Sequence, residues 1–235
     1  MVRDNAFLST EFHSVCQRWH TFRCPVSVAG GVDVAMAGQI GVGMSTIPVQ
    51  RLTEAARQKL RDHFLSLDAN DIRLRFGSPL GSDAIAAYVE GIDFDTDAVF
   101  GVYDDELGLA AAAHVAFGAD GAELGISVLP GHRSLGIGSA LFARAVEHAR
   151  NRFVTRMYMH CLSENAAMMH IAKKSGMNIC IDTGEAEAFL KLEPADQASL
   201  SGELMGQRLA LFDYALKTQA AAMRRITESL GGSST

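Results

Sequence analysis

Arg133, Gly136 and Gly138 stand in the run Glu123–Leu141 (ELGISVLPGHRSLGIGSAL), whose composition suits the holding of an anion. An apolar, strand-like stretch ends at Pro130, and a helical pattern starts directly after the Arg-x-x-Gly-x-Gly segment. Such a turn leaves several backbone N–H groups unpaired at a helix N-terminus, where the helix dipole adds partial positive charge. Gly136 and Gly138 lack Cβ, so a ligand can approach the backbone closely. The loop is therefore suited to a phosphate or pyrophosphate. No Gly-Lys-Ser/Thr follows, which excludes a Walker A loop, and Leu141 occupies the place of the third glycine of a dinucleotide fingerprint. Taken alone, the residues also fit an ordinary strand–helix turn.

The elements around the loop must place it. Gly138 to Arg152 reads as a helix with Leu141, Phe142, Ala145, Val146 and Ala149 on one side. Val154–Leu162 reads as a strand. Asn165 opens a second helix, closed by Gly176, and Met177–Ile181 is a further strand. Strands are also expected at Val99–Tyr103, Leu107–Phe117, Ala122–Leu129 and Ala186–Leu192. Leu74–Ile92 reads as a loop and a short helix, and Leu52–Leu67 as a helix with Thr53 as a plausible cap.

This order, with Arg133-x-x-Gly136-x-Gly138 followed by Asn165, Gly176 and Met177, resembles motifs A and B of the GNAT family of acetyl-CoA-dependent N-acetyltransferases. The resemblance covers roughly Ile47 to Glu193. Motif B usually carries Ala and Tyr where this chain has Met168 and Ala172. That Tyr is commonly the acid that protonates the leaving thiolate, so its absence removes the usual donor.

The resemblance implies an α/β fold: a mixed twisted sheet flanked by helices, with the cofactor in the splayed centre of the sheet. It implies acetyl-CoA as cosubstrate. Backbone groups of Ile126, Ser127 and Val128 would meet the pantetheine arm. The pyrophosphate would lie on Arg133, Ser134, Leu135, Gly136, Ile137, Gly138 and Ser139, with Asn165 contacting the cofactor; Asn165 also reads as a plain helix N-cap. The activity implied is transfer of an acetyl group to a primary amine by direct attack in a ternary complex. A catalytically weak acyl-CoA-binding sensor is the alternative, on the strength of Ala172. Glu123 and His160 are the candidate bases, and His114 a third. A histidine titrates near neutrality and could take the amine's proton directly or through water.

The acceptor class, small molecule or peptide, is not legible. Asp83, Glu90, Asp93, Asp95, Asp97, Asp104, Asp105 and Glu106 form an acidic stretch with no Lys or Arg among them. It reads either as a solvated loop or as a rim attractive to a cationic amine.

Composition bounds the rest. With 48% hydrophobic and 20% charged residues the chain should fold, and no run approaches a membrane span. A net charge of −6 disfavours nucleic acid. Cys16, Cys24, Cys161 and Cys180 form no CxxC pair, and reduced thiols in a cytoplasmic protein are the simplest reading.

Residues 1–43 read as an extension, with a glycine-rich joint at 29–43 and Met44 as an alternative start. Residues 44–194 read as the acetyltransferase domain and 195–235 as a C-terminal helix. His13, Cys16, His20 and Cys24 share a helical face, but one straight helix would separate the outer pair by ~16 Å, so no metal site is expected. Met205, Leu209, Phe212, Leu216, Met223, Ile226 and Leu230 recur at three- and four-residue steps. That stripe reads as packing on its own domain, with a homodimer interface as the sharper alternative.

Overall fold

A computed structural model describes residues 47–231. The extension, its histidines and cysteines, and Met44 lie outside that range, as do the side chains of Leu230 and Gly231. Seven strands form one sheet in the order β1-β2-β3-β4-β5-β7-β6. They are β1 (Gln50–Leu52), β2 (Ala98–Tyr103), β3 (Leu109–Gly118), β4 (Gly121–Val128), β5 (Arg156–Leu162), β6 (Asn178–Asp182) and β7 (Glu185–Lys191). The helices are α1 (Arg57–Leu65), α2 (Ala69–Phe76), α3 (Ser82–Glu90), α4 (Ile137–Asn151), α5 (Ala166–Lys174) and α6 (Gln197–Gly231).

Strand pairing is antiparallel except between β4 and β5. Their parallel arrangement needs a long crossover, and α4 supplies it. Two rungs join them, Ala122 to Met157 and Glu123 to Tyr158. Past Glu123, β4 runs on to Val128, and past Tyr158, β5 runs on to Leu162, with no rung between them. The sheet is therefore splayed at its centre, and one edge of β4 presents unpaired backbone groups to the gap.

Alternation along the strands sorts side chains to two faces. Ala122, Leu124 and Ile126 of β4 and Met157, Met159 and Cys161 of β5 pack with Leu141, Phe142 and Ala145 of α4 and with Met168 and Ala172 of α5. Leu60 and Phe64 of α1, Ile72 and Phe76 of α2 and Val89 of α3 cover the other face through Val99, Leu109 and Ala112. Each large apolar side chain fully buried here contributes roughly 1.5–3 kcal/mol before entropy is counted. Glu123, Gly125 and Ser127 of β4 alternate toward the α1–α3 face, as the strand period requires.

Two local expectations change. The 74–92 segment holds the expected loop and short helix, α3, but its first residues close a helix that was not expected, α2. The α2 helix is capped by Asp68, whose carboxylate accepts from Asp71 N–H at 2.8 Å, and is closed by Gly77 in the left-handed region. Thr53 precedes a short 3-10 turn (Glu54–Ala56) rather than the α-helix, and its side chain makes no capping bond. Cys161 is a buried free thiol whose pKa burial pushes up to about 11. Cys180 is disulfide-bonded, which overturns the reading of four reduced thiols. No helix among the described residues is long and apolar enough to cross a membrane.

Candidate active site

The loop after β4 takes a definite shape. Pro130–His132 forms a 3-10 turn, Ser134 and Gly136 both adopt positive φ, and α4 begins at Ile137. Gly136 accepts the first helical bond, from Ala140 N–H at 3.0 Å. Among the described residues, the amides of Ser134, Leu135, Gly136, Ile137, Gly138 and Ser139 make no backbone hydrogen bond. No side chain caps the helix. A row of free donors at the positive end of a 15-residue helix is a cradle for an anion. Gly138 is closely packed: a Cβ there would stand 3.1 Å from Ile171 Cδ1 and 3.9 Å from Val128 Cγ2. Val128 and Leu129 lead directly into this cradle from the unpaired end of β4, so the splay and the anion site are continuous.

Among the described residues, Arg133 is the member of the loop whose side chain makes polar contacts. Its guanidinium pairs with Asp71 of α2, and its Nε donates to the Val128 carbonyl at 3.2 Å. Asn165 caps α5 by accepting from Met168 N–H at 3.1 Å, and its amide donates to Leu74 O at 3.2 Å. Both ends of that side chain are thus occupied in holding α5 against α2.

On the α1–α3 face, three polar groupings surround the splay. Glu123 and His160 meet at its base, with the Glu123 carboxylate 3.5 Å from His160 Nδ1. His160 stands in register opposite Glu187 of β7, so both side chains leave the same face. One Glu187 carboxylate oxygen is buried with no hydrogen-bond partner among the described residues.

The second grouping is a chain of four. Arg75 donates to Tyr88 Oη at 3.0 Å, Tyr88 Oη lies 2.7 Å from His114 Nδ1, and His114 Nε2 lies 2.9 Å from Asp97. With a neutral imidazole the protons fall in one direction: Tyr88 donates to Nδ1, and Nε2–H donates to Asp97. The Arg75 guanidinium is stacked 4.8 Å from the Phe76 ring centroid and 5.8 Å from that of Tyr88. It lies so close over β4 that a Cβ on Gly125 would overlap it.

In the third grouping, His63 Nδ1 is 2.8 Å from the Leu109 carbonyl and Nε2 is 2.7 Å from Ser127 Oγ. A carbonyl only accepts, so Nδ1 carries the proton and the Ser127 hydroxyl donates to Nε2. Burial brings the His63 pKa down to about 4, so the imidazole is neutral at pH 7.

The structure thus brings Glu123 and His160 together and places Ile126, Ser127 and Val128 on the free stretch of β4 that feeds the loop. Sequence reasoning missed His63, Arg75, Tyr88 and Glu187. No local pattern marks them, because their partners stand 64, 13 or 26 residues away or on a neighbouring strand. Much of the acidic stretch serves local turns: Asp93 accepts from Asp95 N–H, and Asp104 accepts from Glu106 and Gly108 N–H.

Comparison with known proteins fits this geometry. Residues 72–177 match the Acetyltransferase (GNAT) family. A streptothricin acetyltransferase from Streptomyces lavendulae is 32% identical over 93 residues, which cover 39% of this chain and 49% of that protein. The chain therefore matches about half the length of that relative. The GNAT domain of S. lividans PAT superposes with a TM-score of 0.54 at 19% identity, over 61% of this chain and 89% of that domain. A GNAT-family acetyltransferase from Staphylococcus aureus Mu50 superposes with a TM-score of 0.51 at 10% identity, over 62% and 98%. The family match runs from within α2 through β2 to β5, the glycine loop, α4 and α5, so the stretch that builds the splay and the open turn is similar to the GNAT acetyltransferase domain.

Proposed function

We propose that this protein is an acetyl-CoA-dependent N-acetyltransferase acting on a primary amine by direct attack in a ternary complex. The observation that carries the reading is the continuity of two features: a splayed sheet with a free β4 edge, and a row of open amides where that edge enters α4. An extended amide-containing arm can pair with such an edge as an added strand, and a diphosphate can sit on the open amides. The residues present therefore fit coenzyme A, which supplies the acetyl group as an activated thioester.

The holding groups are Ile126, Ser127 and Val128 on the strand and Ser134 to Ser139 on the loop. Arg133 lies at the cradle's rim, where a phosphate would compete with Asp71 for its guanidinium. Asn165 acts from beneath, by fixing α5. The His63–Ser127 pair pins the second-last residue of the free edge and thereby sets where its amides point.

Glu123 and His160 are assigned to the acceptor. An attacking amine must first lose a proton, and His160 can take it while Glu123 stabilises the imidazolium that forms. Asp97, His114 and Tyr88 form a second set able to take that proton, since Tyr88 borders the Arg75 that covers Gly125. Glu187 and Glu123, flanking His160, favour an acceptor that arrives as a cation. Ala172 is buried in the core under the sheet, so it offers no proton to the leaving thiolate.

The test is thiol release measured with a panel of amines. Acetyl-CoA binding accompanied by amine-stimulated release of free thiol supports the transferase. Tight binding without any stimulated release favours the acyl-CoA sensor, and absence of binding sinks both.

A further inference from the structure

We infer that α6 is a self-association element: it pairs with the α6 of a second copy of this chain as a parallel, in-register two-stranded coiled coil. The helix is built inside out. Its domain face is small or polar apart from Tyr214, whose ring packs on Tyr103 at 4.6 Å between centroids. Ser199 Oγ donates to the Asn151 side chain at 2.7 Å, Glu203 accepts from His148 at 2.5 Å, and Lys217 donates to the Tyr103 carbonyl at 2.7 Å. Ala210 and Ala221 are the buried apolar residues on that face. The large apolar side chains point away from the domain. Leu200, Leu204, Met205, Leu209, Leu211, Phe212, Leu216, Met223 and Ile226 are each 43% to 68% exposed.

A helix stabilised only by its own domain would bury that stripe. Six of these side chains share one seam and offer on the order of 600 Å², the upper end of the ~300–600 Å² patch of an ordinary monomer, and Leu200, Leu204 and Leu211 extend the apolar area along its flank.

The spacing identifies the occupant. From Met205 to Ile226 the positions 205, 209, 212, 216, 219, 223 and 226 alternate steps of four and three without a break. This is a 3.5-residue period sustained over three heptads, the seam of a left-handed supercoil rather than the 3.6 period of a helix lying on a globular surface. Every seam position is apolar except Gln219, which is exposed in the single chain.

That exception fixes the orientation. In a parallel, in-register pair Gln219 meets its own copy in one layer, and each amide can satisfy the other. In the antiparallel pair that aligns the two seams, Gln219 faces Leu216 and its amide loses water without gaining a partner. A self-pairing seam is isologous, so it closes as a dimer and goes no further.

The experiment uses the full chain, and its readout is independent of catalysis. Light scattering across a dilution series should give twice the 25.2 kDa chain mass. Phe212→Glu combined with Leu216→Glu should return the mass to that of one chain, with circular dichroism unchanged. Ile226→Cys should form an interchain disulfide under mild oxidation. The antiparallel pair would place Ile226 against Leu209, about 25 Å from the other Ile226, and would leave it uncrosslinked. A monomer at every concentration, a dimer that survives the double charge substitution, or a dimer in which Ile226→Cys fails to crosslink would each overturn the proposal. The crosslink keeps the test open if the charged variant does not fold.

Discussion

Nδ1 of His160 faces the Glu123 carboxylate at 3.5 Å, beside the last rung that joins β4 to β5. The pair therefore stands at the base of the splay, where the strands part and a reacting group would reach both. A carboxylate beside an imidazole orients the ring.

The first prediction follows from that pair. If His160 takes the amine's proton, log(kcat/KM) rises with pH through an apparent pKa that His160→Gln removes. Glu123→Gln should lower the rate on the order of 10²–10⁴ and leave acetyl-CoA affinity intact. A pH–rate profile measured on both variants and on His114→Asn distinguishes the two proton-accepting sets. If only the last of these collapses the rate, the relay runs through Tyr88 and Asp97.

The open amides of the loop yield the second. Gly138→Asp adds a side chain within 3.1 Å of Ile171 Cδ1 and sets a negative charge among the donors at the start of α4. Isothermal calorimetry should show acetyl-CoA binding abolished while the thermal transition persists. Unchanged affinity in that variant would remove the loop from the cofactor site.

His63 makes stability depend on pH in a stated direction. Burial holds its pKa at about 4, below the ordinary 6.5, so on acidification the unfolded chain takes up the proton first. The stabilisation is complete above pH 6.5 and is lost as the pH falls toward 4. Melting temperatures measured over that window should decline, and His63→Leu should flatten the decline. The same substitution leaves the Ser127 hydroxyl and the Leu109 carbonyl without their partner, at a cost of about 1–3 kcal/mol at pH 7.

The docking of α6 has its own acid limit. Burial by itself would raise the Glu203 pKa, but hydrogen bonds from His148 and Asn151, with the charges of His148 and Arg144, outweigh it and bring it down to about 2. The ordinary value is 4.5, so this contribution is whole above pH 4.5 and is lost as the pH falls through 2. Arg144 also pairs with Glu147 at 2.8 Å, and the charge of Arg51 is felt at the same contact. Hydrogen exchange along α6 should accelerate in that window. Glu203→Gln should bring the faster exchange to neutral pH and abolish its acid step.

The sequence by itself determined most of the elements and the open turn between β4 and α4. Periodicity is local, so the α4 face, the β4 alternation and the long terminal helix follow from neighbours a few residues apart. The cradle is legible for the same reason: a glycine-bearing turn between a strand and a helix leaves its amides open whatever surrounds it. The α2 helix escaped notice because its signals are two single residues, Asp68 and Gly77, at the ends of a mixed-polarity octet.

Only the tertiary structure decided the neighbours. His63 reaches Ser127 across 64 residues, and Tyr88 reaches His114 across 26. Asn165 was legible as a cap, but not as the tie to Leu74. The stripe on α6 was legible as apolar, yet the direction it faces was not. That direction depends on which side offered the domain better bonds, and the half-buried carboxylate of Glu203 with Ser199 and Lys217 turned the polar side inward. A helical period states that a face exists; the partners that the rest of the chain brings to it decide whether that face is buried or left outside.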